Sequence, residues 1–206
     1  MKKLRKFLLT TVIVLCVLFL VLIAPRTIGR ADLGHMEGYH YAHRGYHEKP
    51  QIPENSMAAF RRALQNYYGI ELDIHLMKDG NLAVIHDASL KRTAGTDVQV
   101  ENLTADALKH YRLEGTEERV PLFSEVLSLV NGEVLLIVEL KPVDNNYSAL
   151  CEATCKLLDD YQGLYCVESF DPRCIAWLRK NRNAILRGQL AYNLFRVDVK
   201  IPSIMK

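Results

Sequence analysis

The chain lacks a basic excess. Its 206 residues carry 26 Lys and Arg against 24 Asp and Glu, and Lys2, Lys3, Arg5 and Lys6 crowd the extreme N-terminus, so the body is close to neutral. Binding nucleic acid requires a clustered basic surface to neutralise phosphates, and that partner is excluded. Cysteine is also too scarce for a disulfide framework. Five is an odd number, and Cys16 lies in an apolar run. Of the remaining Cys151, Cys155, Cys166 and Cys174, the first two are four apart on an expected helix, but no further Cys or His pair follows at zinc spacing. All four are read as packing residues. The length suits one sizeable domain, and nothing demands a second.

What the chain has in plenty is an uninterrupted apolar run at its start. Residues 1–6 form a basic tail, and Phe7 to Ala24 contain no charge. A helix rises about 1.5 Å per residue, so this run nearly matches a hydrocarbon core of about 30 Å. A cleavable signal peptide usually has a shorter apolar region, about 7–15 residues, and a small-x-small cleavage site. Ile23-Ala24-Pro25 offers none. Residues 7–24 are therefore expected to be an uncleaved membrane anchor, with the basic tail cytoplasmic and the domain outside. Residues 25–39, with Gly29, Gly34 and Gly38, read as a linker.

From residue 40 onward, short apolar runs alternate with segments of helical periodicity, the pattern of βα units around a parallel sheet. Strands are expected at Tyr41–Gly45, Ile70–Met77, Leu82–Asp87, Val134–Leu140, Leu164–Phe170 and Ile185–Ala191. Helices are expected at Met57–Asn66, capped by Asn55 or Ser56, and at Phe123–Val130, Tyr147–Tyr161 and from Pro172 onward. Residues 88–121 read as a polar, irregular insertion containing one short helix at Ala105–Arg112, capped by Thr104 and stapled by Leu103 and Leu108.

Polar residues gather at the strand ends: His43-Arg44, Glu71-x-Asp73, His86-Asp87 and Glu139-x-Lys141. In a parallel barrel the C-terminal strand ends form the active face. Side chains alternate along a strand, so Glu71 and Asp73 point the same way, as do Glu139 and Lys141. Three carboxylates converging there would repel one another, and one hard divalent cation, Ca²⁺ or Mg²⁺, resolves that repulsion. Two histidines nearby suit proton transfer near neutral pH.

This ordered set resembles the glycerophosphodiester phosphodiesterase family. The likeness runs through His43-Arg44-Gly45, Pro53-Glu54-Asn55-Ser56 with Ala59-Phe60, Glu71-Leu72-Asp73, Asp79-Gly80, His86-Asp87, Leu90-x-Arg92-Thr93, Pro121-Leu122, Glu139-Leu140-Lys141 and Ser169-Phe170-Asp171. It implies an α/β fold, a TIM-type (β/α)8 barrel behind one transmembrane helix. It also implies metal-dependent hydrolysis of small glycerophosphodiesters to glycerol 3-phosphate and an alcohol. Carried over residue by residue, it makes Glu71, Asp73 and Glu139 the metal ligands and His43 and His86 the acid and base pair. Arg44 and Lys141 would hold the substrate phosphate, and Glu54 would be an auxiliary to the glycerol or the metal shell. His75 is expected to face away in a structural role. The chain departs from the family in three ways: Met77 stands at a customary Thr position, its only tryptophan, Trp177, is on a helix, and about six of eight strands are legible in residues 40–206. A truncated, inactive membrane-tethered fragment or a metal- and phosphate-binding module is the competing expectation. A related barrel enzyme that stops at a cyclic phosphate is the third.

Overall fold

The structure, a computed structural model, describes residues 2–23, 33 and 36–192. It divides into two units, Met1–His35 and Met36–Lys206. Most of the expected linker, and His35, lie outside the described residues.

The first unit is helix α1, Lys2–Ile23. Its apolar side chains, Phe7 and Leu15 among them, are exposed along its length. Thr10 and Thr11 turn their hydroxyls back onto the carbonyls of Lys6 and Phe7, each at 3.0 Å. This is the one described helix long and apolar enough to cross a membrane, a test of length and composition that a signal sequence also passes.

In the second unit the strands are β1 (Tyr41–His43), β2 (Gly69–Leu76), β3 (Leu82–Val84), β4 (Leu136–Leu140), β5 (Tyr165–Ser169) and β6 (Arg187–Gln189). They form one sheet in the order β1-β2-β4-β5-β6, all parallel, with β3 antiparallel to β2. Six strands are thus present where expected, but five make the parallel wall. The third folds back as a hairpin over Lys78-Asp79-Gly80-Asn81, where Gly80 takes φ +84°. Among the described residues β1 and β6 are the ends of the wall.

Helices α2 (Met57–Gln65), α5 (Phe123–Val130), α6 (Tyr147–Leu158) and α7 (Pro172–Asn181) cover one face of this wall; α3 (Lys91–Ala94) and α4 (Ala105–Leu108) belong to residues 88–121. Ser56 caps α2 by accepting from Ala59 N–H at 3.1 Å, which leaves Asn55 free for other work. Ile70, Leu72 and Ile74 of β2 and Leu136, Val138 and Leu140 of β4 pack with Phe60, Phe123, Val126 and Leu150 of the helices. All four body cysteines are buried, three of them in this core. Because side chains alternate, the residues between these apolar ones project to the other side of the wall, and there the polar strand ends lie.

Residues 88–121 are more ordered than their polarity suggests. Leu90, Val100, Leu103, Leu108, Leu113 and Val120 form a second core with Met77, Ala83 and Ile85. Thr104 caps α4, accepting from Ala107 N–H at 3.3 Å, but the helix ends at Leu108, four residues before the expected stop. Likewise α6 ends at Leu158 rather than Tyr161.

Candidate active site

The site is assembled from the ends of β1, β2, β3 and β4. His43 closes β1 and is exposed, and partial burial followed by the neighbouring Arg44 lowers its pKa. Among the smaller influences on it, Asp73 raises the pKa and His47 and His86 lower it. The chain then turns sharply through two left-handed residues, Arg44 (φ +57°) and Gly45 (φ +79°). At Gly45 any side chain would be excluded twice: the conformation disfavours one, and a Cβ would sit 2.8 Å from Ala59 Cβ. This turn aims the Arg44 N–H at Glu71 Oε2, 2.9 Å away. The Arg44 carbonyl accepts from Asn55 N–H at 2.8 Å, and the Asn55 amide donates to Asp73 Oδ2 at 2.9 Å.

Glu71 and Asp73 share a face of β2, and Glu139 on β4 is the register partner of Asp73. The three carboxylates each offer an oxygen within 4.8 Å of the others, and all three are buried. Burial, then the charge of Asp73, pushes the Glu71 pKa up to about 8 despite the Arg44 N–H. Burial also raises that of Glu139, against the pull of Lys141. Lys141 Nζ lies 3.1 Å from Asp73 Oδ1 and 2.7 Å from Glu139 Oε1, close enough for ion pairing. Arg44 Nε is 3.6 Å from Asp73 Oδ2. One ammonium thus faces two of three buried carboxylates, and three hard oxygen donors this close suit a divalent cation. Glu71, Asp73 and Glu139 would hold it.

His86 follows β3. Its Nδ1 is 2.6 Å from Asp87 Oδ1. Arg92 donates from Nε to Asp87 Oδ2 and from Nη2 to Glu54 Oε1, both at 2.6 Å. These bonds from Arg92 hold the Asp87 carboxyl below its usual range. Glu54 accepts in addition from Arg44 Nη1 at 2.9 Å and pairs with Lys49 Nζ at 2.8 Å. Burial alone would raise its pKa, yet Arg92 and Lys49 together hold it well below the carboxylate range. Glu54 thus braces Arg44 and is not one of the three clustered carboxylates. His75 is buried, with its ring nitrogens on Glu101 and on the His86 carbonyl.

Of the residues singled out from the sequence, the structure gathers Glu71, Asp73 and Glu139 with Arg44 and Lys141 beside them and Glu54 behind Arg44, and it adds four. Asn55, expected only as a possible helix cap, and Asp87 and Arg92 stood inside the quoted motifs without a role in the site. Glu168 went unnoticed. It pairs in register with Glu139 on one side and Gly188 on the other, and makes no hydrogen bond or ion pair among the described residues. Its strand parity with Ser169-Phe170-Asp171 was the available signal.

A profile of the glycerophosphoryl diester phosphodiesterase family matches residues 43–192. The chain belongs to this family. It is 39% identical over 131 residues to a glycerophosphodiester phosphodiesterase of Bacillus altitudinis, an alignment covering 59% of this chain and 53% of that protein. It is also 32% identical over 157 residues to lysophospholipase D GDPD1 of Rattus norvegicus, covering 70% of this chain and 48% of the relative. The chain therefore spans about half the length of these curated family members. Among solved structures it resembles an Oleispira antarctica phosphodiesterase in complex with the product sn-glycerol-3-phosphate. That likeness has a TM-score of 0.68 and 26% identity, over 73% of this chain and 65% of the other. A glycerophosphodiester phosphodiesterase of Thermotoga maritima aligns with TM-score 0.62 and 27% identity, over 76% of this chain and 63% of that one. The parallel wall is thus that of the barrel found in this family.

Proposed function

We propose that this family member hydrolyses glycerophosphodiesters to glycerol 3-phosphate and an alcohol, with one divalent cation held by Glu71, Asp73 and Glu139. The observation that supports the reading is the buried trio itself: three carboxylates within mutual reach, with Lys141 as the one ammonium paired to them. A bound cation supplies Lewis acidity toward a phosphoryl oxygen and favours ionisation of a nearby hydroxyl.

The protein's own groups do the rest. Arg44 and Lys141 orient the phosphate and oppose the negative charge that builds up on it in the transition state. The Asp87 carboxylate on His86 Nδ1 favours a hydrogen there, leaving Nε2 to accept a proton. His86 is therefore the base. It takes the proton as a glycerol C2 hydroxyl or a water attacks phosphorus, and His43 gives a proton to the departing alkoxide. If the glycerol hydroxyl attacks, the product of the first step is a cyclic phosphate, which water opens with the two histidines exchanging roles.

The N-terminal helix, residues 7–24, would tether the domain, residues 40–206, outside the membrane through the linker 25–39, with residues 1–6 in the cytoplasm. Protease accessibility in intact and opened vesicles tests this placement: digestion of the domain only after opening would reverse it.

The activity test uses the detergent-solubilised chain with glycerophosphocholine, glycerophosphoethanolamine and lysophosphatidylcholine, with Ca²⁺, Mg²⁺ or chelator. Metal-dependent release of glycerol 3-phosphate from the two deacylated diesters is expected, any turnover of lysophosphatidylcholine giving lysophosphatidic acid and choline instead, with kcat lowered by about 10²–10⁴ in His86→Ala. Phosphorus NMR separates hydrolysis from an end product that is cyclic phosphate. A folded chain that binds cation but turns over none of these substrates would be a binding module instead.

A further inference from the structure

His75 and Glu101 take no part in the chemistry proposed above, yet this polar pair is bonded to the backbone of its base. His75 is 3% exposed and Glu101 is partly buried beside it. His75 Nδ1 is 2.8 Å from Glu101 Oε1, and Nε2 is 3.2 Å from the carbonyl oxygen of His86. Both ring nitrogens therefore face acceptors, and each contact needs a hydrogen. With Nδ1 turned to Glu101, Nε2 is the nitrogen that donates to the His86 carbonyl.

The surrounding backbone turns that bond into a latch. Just before His86, Ile85 N–H donates to the Asp73 carbonyl at 3.0 Å, which ties the histidine's strand to the ligand-bearing strand. Just after it, the Ala88 carbonyl accepts from Val100 N–H at 2.8 Å, and Leu90 N–H donates to Val98 at 3.0 Å. Those bonds fix the short 3-10 turn, Val100–Asn102, that presents Glu101. The segment 88–121 is thereby fastened to the peptide of His86 from two directions. We propose that Glu101 and His75 are positioning residues for His86, and that the second core exists in part to hold that pair in place. The inference rests on the reading of His86 as the general base.

Two substitutions separate the hydrogen bond from simple packing. Glu101→Leu keeps bulk and removes the partner of Nδ1. Glu101→Gln restores it, because its amide can donate to an unprotonated Nδ1 while Nε2–H stays on the His86 carbonyl. In the full chain, Glu101→Leu is expected to lower kcat about tenfold to a hundredfold through misplacement of the base, with KM and the calorimetric affinity for Ca²⁺ within about twofold. Glu101→Gln should recover most of that loss. Hydrogen–deuterium exchange over residues 85–92 should rise in the Leu variant alone. Should Glu101→Leu fail to fold, His75→Gln, which cannot span both partners, is expected to show the same kcat loss and the same exchange increase. Unchanged exchange, or equal losses in kcat and metal affinity, overturns the proposal. If the parent chain turns over no diester, the functional reading fails, while the exchange comparison still decides whether the latch exists.

Discussion

Glu54 and Glu71 are both nearly inaccessible to water, at 5% and 8% exposed, and yet their ionisation is driven in opposite directions. Glu54 stands among Arg44, Lys49 and Arg92 and is held as a carboxylate under almost any condition. Glu71 has one backbone N–H and three acidic neighbours, Asp73, Glu139 and Glu168, and burial with their charge pushes it up to about 8. Three cations converge on Glu54, whereas Lys141 pairs with Asp73 and Glu139 and no cation pairs with Glu71 among the described residues. A buried carboxylate with ample partners braces other residues, whereas an under-compensated cluster is a demand for a cation.

Asp73→Asn breaks this contrast most directly. Removing a ligand should weaken Ca²⁺ or Mg²⁺ binding by at least about a hundredfold, more than loss of a supporting hydrogen bond does. Glu54→Gln should leave that affinity within about threefold. Calorimetry on both variants decides it, and an equal loss from Glu54→Gln would place Glu54 in the metal shell after all.

The second prediction concerns folding. Taking the charge from Glu54 removes the carboxylate that holds Arg44, while Arg92 keeps Asp87, and should lower stability by about 1–2 kcal/mol in chemical denaturation. Its folded pKa is depressed, so this stabilisation is present above the 4.5 of an unperturbed glutamate and fades as pH falls below that value.

Glu71 gives the opposite and smallest effect. In metal-free protein the folded state keeps its proton while the unfolded chain loses it between 4.5 and about 8, so stability falls as pH rises through that window. Thermal melts with chelator should show a Tm lower by about 3 °C or more at pH 8 than at pH 5. Added Ca²⁺ should reverse the difference at pH 8.

Much of the site was legible because it obeys a strand's two-residue period. Alternation placed Glu71 and Asp73 together, and the end of the neighbouring strand brought Glu139 to them. The role of Glu54 was not legible, since its partner Arg92 is 38 residues away in sequence and no local spacing announces it. Hairpin and wall strands are both short apolar runs, so β3 entered the barrel count although it pairs antiparallel. The segment 88–121 reads as irregular in sequence because its buried residues follow neither period, and only the fold gathers Leu90, Val100, Leu108 and Val120 into one core. Glu101 gained its meaning from that core.

The register between β2 and β4 has one further effect. Asp73 and Glu139 stand opposite each other across two strands that pair directly. A slip of one residue would turn either carboxylate toward the helices and bring Leu72 or Leu140 to the front in its place. A cation bridging the two strands would therefore tolerate one alignment alone, acting as a checkpoint that rewards the correctly zipped sheet and ignores its misaligned neighbours.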